Sequence, residues 1–264
     1  MDLQLQNKRA LVTGSTAGIG FAIAQSLARE GASVIVNGRS AARVESAAKK
    51  IRESGAPGKV TASAIDLSTR AGVDALVKQI PAVDILVNNL GMYVPKSFEQ
   101  ITDEDWLEIF EVNVLSGIRL SRAYLPGMKK QNWGRIIFIS SESAICTPVE
   151  MIHYGVTKTA QLAVSRGLAE TTAGTGVTVN SVLPGPTRSE GVEKFVEDMA
   201  REGKTDAATV EADFFKTVRP SSLLKRFATP EEVAAMVTYV ASPVSAATNG
   251  AALRVDGGVI RSII

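Results

Sequence analysis

Cysteine and histidine are almost missing from this chain, which has one of each, Cys146 and His153. A single cysteine excludes an intrachain disulfide and suits a reducing cytoplasm. A cysteine nucleophile needs an activating base, and none is evident for Cys146. Excess charge is missing too: 29 basic residues against 27 acidic ones leave a formal net charge of +2. That balance gives no footprint for nucleic acid, and no basic run marks a membrane surface. No apolar run is long enough to cross a bilayer. The opening stretch, Met1-Asp2-Leu3-Gln4-Leu5-Gln6-Asn7, has neither the basic start nor the apolar stretch of a signal peptide. The expectation is a soluble cytoplasmic protein that partners neither nucleic acid nor membrane. There is also no Pro/Gly/Ser-rich hinge and no internal repeat, so residues 1–264 read as a single domain.

What is present is alternation. Short apolar runs read as strands at Arg9 to Thr13, Ser33 to Asn37, Lys59 to Ile65, Asp84 to Val87, Arg135 to Ser140, Val177 to Leu183 and Ala252 to Val255. Amphipathic stretches between them read as helices, among them one long helix from Asp103 to about Lys129, entered through a cap at Thr102-Asp103-Glu104-Asp105. Pro230-Glu231-Glu232 opens the last helix. The pattern predicts an α/β fold: a Rossmann-type, doubly wound parallel sheet of about seven strands with helices on both faces.

The first strand runs into Thr13-Gly14-Ser15-Thr16-Ala17-Gly18-Ile19-Gly20 and then a helix. Glycines let such a turn approach a ligand closely, and a helix N-terminus offers free N–H groups to a pyrophosphate. The spacing is not the common G-x-G-x-x-G. The second strand ends in Asn37-Gly38-Arg39-Ser40, where an NAD site usually carries an acid. No carboxylate stands there to repel a 2′-phosphate, and Arg39 can pair with one. NADP is the preferred reading and NAD the alternative.

Tyr154 and Lys158 are four residues apart in a predicted helix, so phenol and ammonium share a face. A nearby cation favours the phenolate and lowers the tyrosine's pKa. A tyrosine so tuned can exchange a proton with an alcohol or a carbonyl near neutral pH.

Taken in order, Thr13 to Gly20, Asn88-Asn89-Leu90-Gly91, Asn113, Ser141, Tyr154 with Lys158, and Pro184-Gly185 resemble the short-chain dehydrogenase/reductase family, in its compact single-domain branch. The resemblance spans nearly the whole chain. It implies a catalytic tetrad. Ser141 bonds the substrate oxygen, Tyr154 is the acid/base, Lys158 holds the nicotinamide ribose and tunes the tyrosine, and Asn113 holds a water in the proton relay. It also implies a cofactor cradle. Gly14, Ser15, Thr16, Gly18, Ile19 and Gly20 take the phosphates, with Arg39 beyond them. Asp66, with Leu67 beside it, faces the adenine. Asn88, Leu90 and Gly91 flank the cofactor, and Pro184, Gly185 and either Thr187 or Ser189 lie near the carboxamide. No metal is implied. Members of the family are commonly tetramers or dimers, and the apolar tail Ile260, Ile263 and Ile264 suits such an interface.

Two departures stand out. Leu90 replaces the family's alanine, which predicts a shifted cofactor or a narrowed pocket. The segment 189–227 is long for this branch and reads as a substrate lid, with Phe195, Met199, Phe214 and Phe215 as its apolar underside. His153 either donates to a polar substrate or shapes the loop before Tyr154. Glu142 and Cys146 are candidate pocket walls. The function expected is an oxidoreductase that transfers hydride between NADP(H) and a carbonyl or secondary alcohol. The alternatives are an NAD-dependent hydroxy-acid or alcohol dehydrogenase on the same scaffold, and a non-catalytic cofactor-binding sensor or scaffold.

Overall fold

The structure is a computed structural model that describes residues 1–203 and 205–263; Lys204, Ile264 and the side chains of Lys194 and Phe195 lie outside the description. Seven strands form one parallel sheet: β1 (Arg9–Val12), β2 (Ser33–Gly38), β3 (Val60–Ala64), β4 (Ile85–Asn88), β5 (Gly134–Ile139), β6 (Val177–Pro184) and β7 (Ala252–Val255). Their order is β3-β2-β1-β4-β5-β6-β7. The chain winds outward from β1 in one direction and from β4 in the other. The switch point therefore lies between β1 and β4, where such sheets bind ligands at their carboxyl edge.

Side chains alternate strictly along the strands. Ala10 and Val12 join one core with Val34, Val36, Ile137 and Ile139, whereas Leu11 and Ile35 join a second core with Ile136 and Phe138. The first core is closed by α1 (Gly18–Arg29), α2 (Ala41–Glu53) and α9 (Pro230–Ala241), through residues such as Ile23, Leu27, Ile51 and Val237. The second is closed by α3 (Arg70–Gln79), α5 (Ser116–Lys130) and α6 (Ile152–Glu170), through Leu76, Leu120, Tyr124 and Ala169. Because both faces are covered, β5 and β6 are buried along their whole length.

Caps set most helix starts. Thr102 and Asp105 form a reciprocal capping box at α4 (Asp103–Phe110), and Thr229 with Glu232 forms another at α9. Gly31, at φ +87°, turns the chain out of α1 in a conformation that favours glycine.

The expected single helix from Asp103 to Lys129 is interrupted. After α4, residues Glu111–Leu115 make a turn of π-helix before α5 begins at Ser116. No glycine or proline stands in Glu111–Leu115, so no breaker in the sequence marks this turn. The segment after β6 folds as α7 (Glu190–Glu202) and α8 (Ala207–Thr217), with a small core of Val196, Phe215 and Phe227.

Candidate active site

The glycine loop leaves β1 with Gly14 at φ +60° and Gly18 at φ +53°. A β-carbon on Gly20 would stand 2.5 Å from both Asn89 Nδ2 and Gly14 O, so only glycine fits there. Asn89 ties the loop to β4 by donating from Nδ2 to the carbonyls of Thr13 and Gly14. Ser40, Thr69, Ser189 and Asp206 cap α2, α3, α7 and α8 with their side chains. Helix α1 instead has Ala17 at its N-cap position, and alanine has no side-chain acceptor. Its first-turn N–H groups are thus left for an external anion, as a bound pyrophosphate requires. At the end of β4, Asn88 Oδ1 is buried without a partner. These features fit a dinucleotide.

Ser15 departs from expectation. Its N–H donates to Asn37 O, while its hydroxyl donates to Val12 O and accepts from Asn37 N. Ser15 therefore pins the loop to β2 and has no donor to spare for a phosphate. Thr16 lies by Gly38, whose β-carbon would meet it at 2.7 Å. Arg39 projects from the end of β2 with its side chain exposed. Asp66 accepts from Ser68 N and Oγ at 3.0 and 2.7 Å. Those two bonds, with the Arg39 charge as a smaller contribution, hold its carboxyl below the usual range. The Leu67 side chain is buried in the second core and is not presented to a ligand. Leu90 packs partly against that core and lies beside Gly14 of the glycine loop, outside the residues that line the cleft.

Beyond the loop opens a cleft of about 730 Å³ at the carboxyl edge of the sheet. Ile19 and Gly91 border it, as do Ser141, Tyr154 and Lys158 from the β5 and α6 side. Pro184, Gly185, Thr187 and Ser189 close another side, below Phe214, Val218 and Phe227 of the lid segment. Thr187 Oγ1 donates to Gly185 O, and Ser189 Oγ caps α7. The sequence-predicted residues that line one space therefore come from α1, from the loops after β4 and β5, from α6, and from β6 and the loop after it.

The catalytic candidates sit in detailed bonding. Ser140 donates to Lys158 O and holds α6 against β5. Ser141 Oγ accepts from Ser143 N at 3.1 Å and donates to Glu142 Oε2 at 2.6 Å. Lys158 is buried, and its ammonium donates to Ile139 O at 2.9 Å and Gln161 Oε1 at 3.4 Å. It stands 5.5 Å from the centre of the Tyr154 ring. Burial pulls the lysine down to about 8.

Tyr154 reverses the expectation of a lowered phenol. Burial pushes its pKa above the ordinary value, the Ser141 hydroxyl opposes that, and Glu142 and Tyr93 push it up further. The Tyr93 ring meets it edge-on at 6.1 Å.

Asn113 lies in the π turn. Its amide donates to Met92 O and Thr157 Oγ1 and accepts from Met92 N. Its backbone carbonyl accepts from Gln161 Nε2 at 2.6 Å. Asn113 thereby communicates with Lys158 through Gln161, a residue that sequence reasoning missed. The i, i+3 spacing of Lys158 and Gln161 was the available signal.

The structure sorts the remaining candidates. His153 is buried against Trp106, with ring centres 5.9 Å apart, so it shapes the entry to α6 and does not line the cleft. Cys146 is exposed and is not a wall, whereas Glu142 is one. In the lid, Phe214 lines the cleft, Phe215 is buried in the lid's own core and Met199 is exposed. Phe195, named as part of the lid underside, lies outside the described side chains. Ile260 is buried against its own chain and Ile263 is exposed, while Ile264 lies outside the described residues. Among the described residues no acidic, histidine or cysteine cluster could hold a metal, and no helix is long and apolar enough to cross a membrane.

Comparison with known proteins agrees with this geometry. A family model described as short chain dehydrogenase matches residues 8–200. The chain is 49% identical to the uncharacterized oxidoreductase YvaG of Bacillus subtilis (strain 168), over all of both chains. It is 33% identical to the D-beta-hydroxybutyrate dehydrogenase of Cupriavidus necator, covering 96% of this chain and 98% of that one. Among solved structures, L-sorbose reductase from Gluconobacter frateurii, complexed with NADPH and L-sorbose, superposes with a TM-score of 0.94 at 31% identity over all of both chains. By these likenesses the chain is an oxidoreductase and belongs to the short-chain dehydrogenase family.

Proposed function

We propose that this protein reduces a carbonyl to a secondary alcohol with NADPH, and that Tyr154 donates the proton. The observation that carries the reading is the shared cleft, with Tyr154, Ser141 and Lys158 on one side and the uncapped α1 N-terminus on the other. A bound nicotinamide supplies the hydride. The protein supplies position and electrostatics. Gly18, Ile19 and Gly20 offer N–H groups to the pyrophosphate. Lys158, charged below about pH 8, is placed to hold the ribose. Ser141 steadies the developing oxyanion. The raised Tyr154 phenol keeps its proton at neutral pH, which suits an acid more than a base.

NADPH is favoured by Arg39, which stands exposed at the end of β2 where no carboxylate precedes it. The structural relative bound to NADPH supports the same choice. Comparing kcat/KM for NADPH and NADH tests it. Arg39→Ala should weaken NADPH use about tenfold, the worth of one charge-assisted contact, and leave NADH use nearly unchanged. A wild-type preference for NADH would overturn this assignment and leave a dehydrogenase of the NAD type. A cytoplasmic location and assembly into dimers or tetramers belong to the same proposal.

A further inference from the structure

Glu142 is a carboxylate in an unexpected place. It directly follows Ser141, is only 5% exposed and lines the cleft beside Tyr154. Its Oε1 accepts from Arg219 Nε at 3.1 Å. Its Oε2 accepts from Ser141 Oγ at 2.6 Å, from Ser143 N at 3.0 Å and from Ser143 Oγ at 3.3 Å. Arg219 follows α8, so the lid segment itself reaches down to this acid. Glu150 also faces Arg219, at 4.0 Å.

This arrangement conflicts with a simple ketone as substrate. A serine has one hydroxyl proton to donate. While Ser141 gives it to Glu142, it cannot give it to a carbonyl oxygen. Once the proton turns to the substrate, Glu142 Oε2 loses its shortest bond and keeps only those from Ser143 N and Oγ, so a buried acceptor is left with spare capacity for a donor. The conflict disappears if the substrate brings a donor of its own. The two oxygens of Ser141 and Glu142 lie 2.6 Å apart. The carbonyl and hydroxyl oxygens of an α-hydroxy ketone have a closely similar span, so one pair can lie against the other.

Charge narrows the class further. Glu142 and Glu150 flank Arg219, so two acids face one base at the lid end of the cleft. The other cation among the described lining residues, Lys158, donates to Ile139 O and Gln161. Lys158 keeps its charge at the Tyr154 side, but at the lid end a substrate carboxylate would meet two acids against one base. Phe214 and Val218 offer an apolar wall to the rest of the molecule.

We propose that this site takes a neutral α-hydroxy ketone, with the carbonyl oxygen on Ser141 and Tyr154 and the neighbouring hydroxyl donated to Glu142. The proposal rests on the reductase reading above. Hydride adds to the carbonyl carbon, Tyr154 gives its proton to the oxygen, and the product is a vicinal diol with the cofactor oxidised. Glu142 sets specificity, and Arg219 positions it.

Three compounds with one skeleton test this: 2-hexanone, 1-hydroxy-2-hexanone and 2-oxohexanoate, each scored by oxidation of the reduced cofactor. In the wild type, kcat/KM for 1-hydroxy-2-hexanone should exceed that for each of the others about tenfold or more, as for a site built to bond a substrate hydroxyl. Glu142→Ala should collapse the hydroxyl preference. Glu142→Gln should raise use of 2-oxohexanoate relative to 2-hexanone, which separates loss of charge from loss of the side chain. Equal use of 2-hexanone and its hydroxy analogue, or a preference for 2-oxohexanoate, would overturn the proposal while leaving the reductase reading intact. Ratios left unchanged by both substitutions would overturn it in the same way. If a substituted chain fails to fold, the wild-type ratios decide alone. Oxidation with none of the three would overturn the reductase reading and this proposal together.

Discussion

Burial acts on both members of the Tyr154–Lys158 pair, raising the phenol and lowering the ammonium. The lysine's share is measurable as stability. Its pKa falls from 10.5 in the unfolded chain to about 8 in the fold. Below about pH 8 the cost of the desolvated charge is fully present, and it is relieved as pH rises from 8 toward 10.5. Wild type should therefore gain stability relative to Lys158→Met between about pH 7 and pH 10, by up to about 3 kcal/mol. Urea denaturation midpoints at the two pH values check this, and a difference that does not change with pH would contradict it. The residue types of this site were legible in the sequence, because Tyr154, Lys158, Ser141 and Asn113 stand in order at fixed spacings. Their bonding was not. Nothing in the sequence shows that Ser141 donates to Glu142 or that Gln161 bridges Lys158 to Asn113, since side-chain directions and the approach of separate elements decide both. For the same reason the sequence could not show that Ser15 faces β2 and not a phosphate.

At the scale of elements, the strands and most helix ends follow from local rules. Thr102 with Asp105 and Thr229 with Glu232 were readable as starts because capping is a contact between near neighbours. The π turn at Glu111–Leu115 was not readable, because no glycine or proline breaks the sequence there. The segment 189–227, expected to act as a lid, differs from the rest in packing on a small core of its own. Phe214, Phe215 and Phe227 meet one another with ring centres 5.1 Å apart, in a cluster separate from the two main cores. The expectation is that such a unit opens separately from the sheet. Phe227→Ala should thus cost about 3 kcal/mol within the lid but little elsewhere. The expected result is a KM raised about tenfold or more with the main calorimetric transition nearly unmoved. A large fall of that transition with KM unchanged would show that the lid and the sheet unfold as one.

For the whole molecule, the strand order β3-β2-β1-β4-β5-β6-β7 puts the glycine loop, Asn88 and the cleft at one edge. The alternation of apolar runs and helices dictated that architecture, and the handedness of parallel crossovers left few other arrangements. Assembly was less legible. The tail expected to pack on a partner is divided, with Ile260 turned inward and Ile263 94% exposed. Leu107 on α4 is also 71% exposed. These exposed side chains suit a subunit contact, and light scattering should return two or four times the chain mass of 27.9 kDa. A mass equal to that of one chain would contradict the assembly. Everything proposed for the cleft depends on Tyr154 as the proton donor. Tyr154→Phe keeps the ring that packs on Tyr93 and removes only the hydroxyl. Measured together, NADPH affinity by fluorescence should stay within about threefold, while carbonyl reduction should fall about 10³-fold, the scale of a lost general acid. Reduction at the wild-type rate by a variant that still binds NADPH would contradict the central claim.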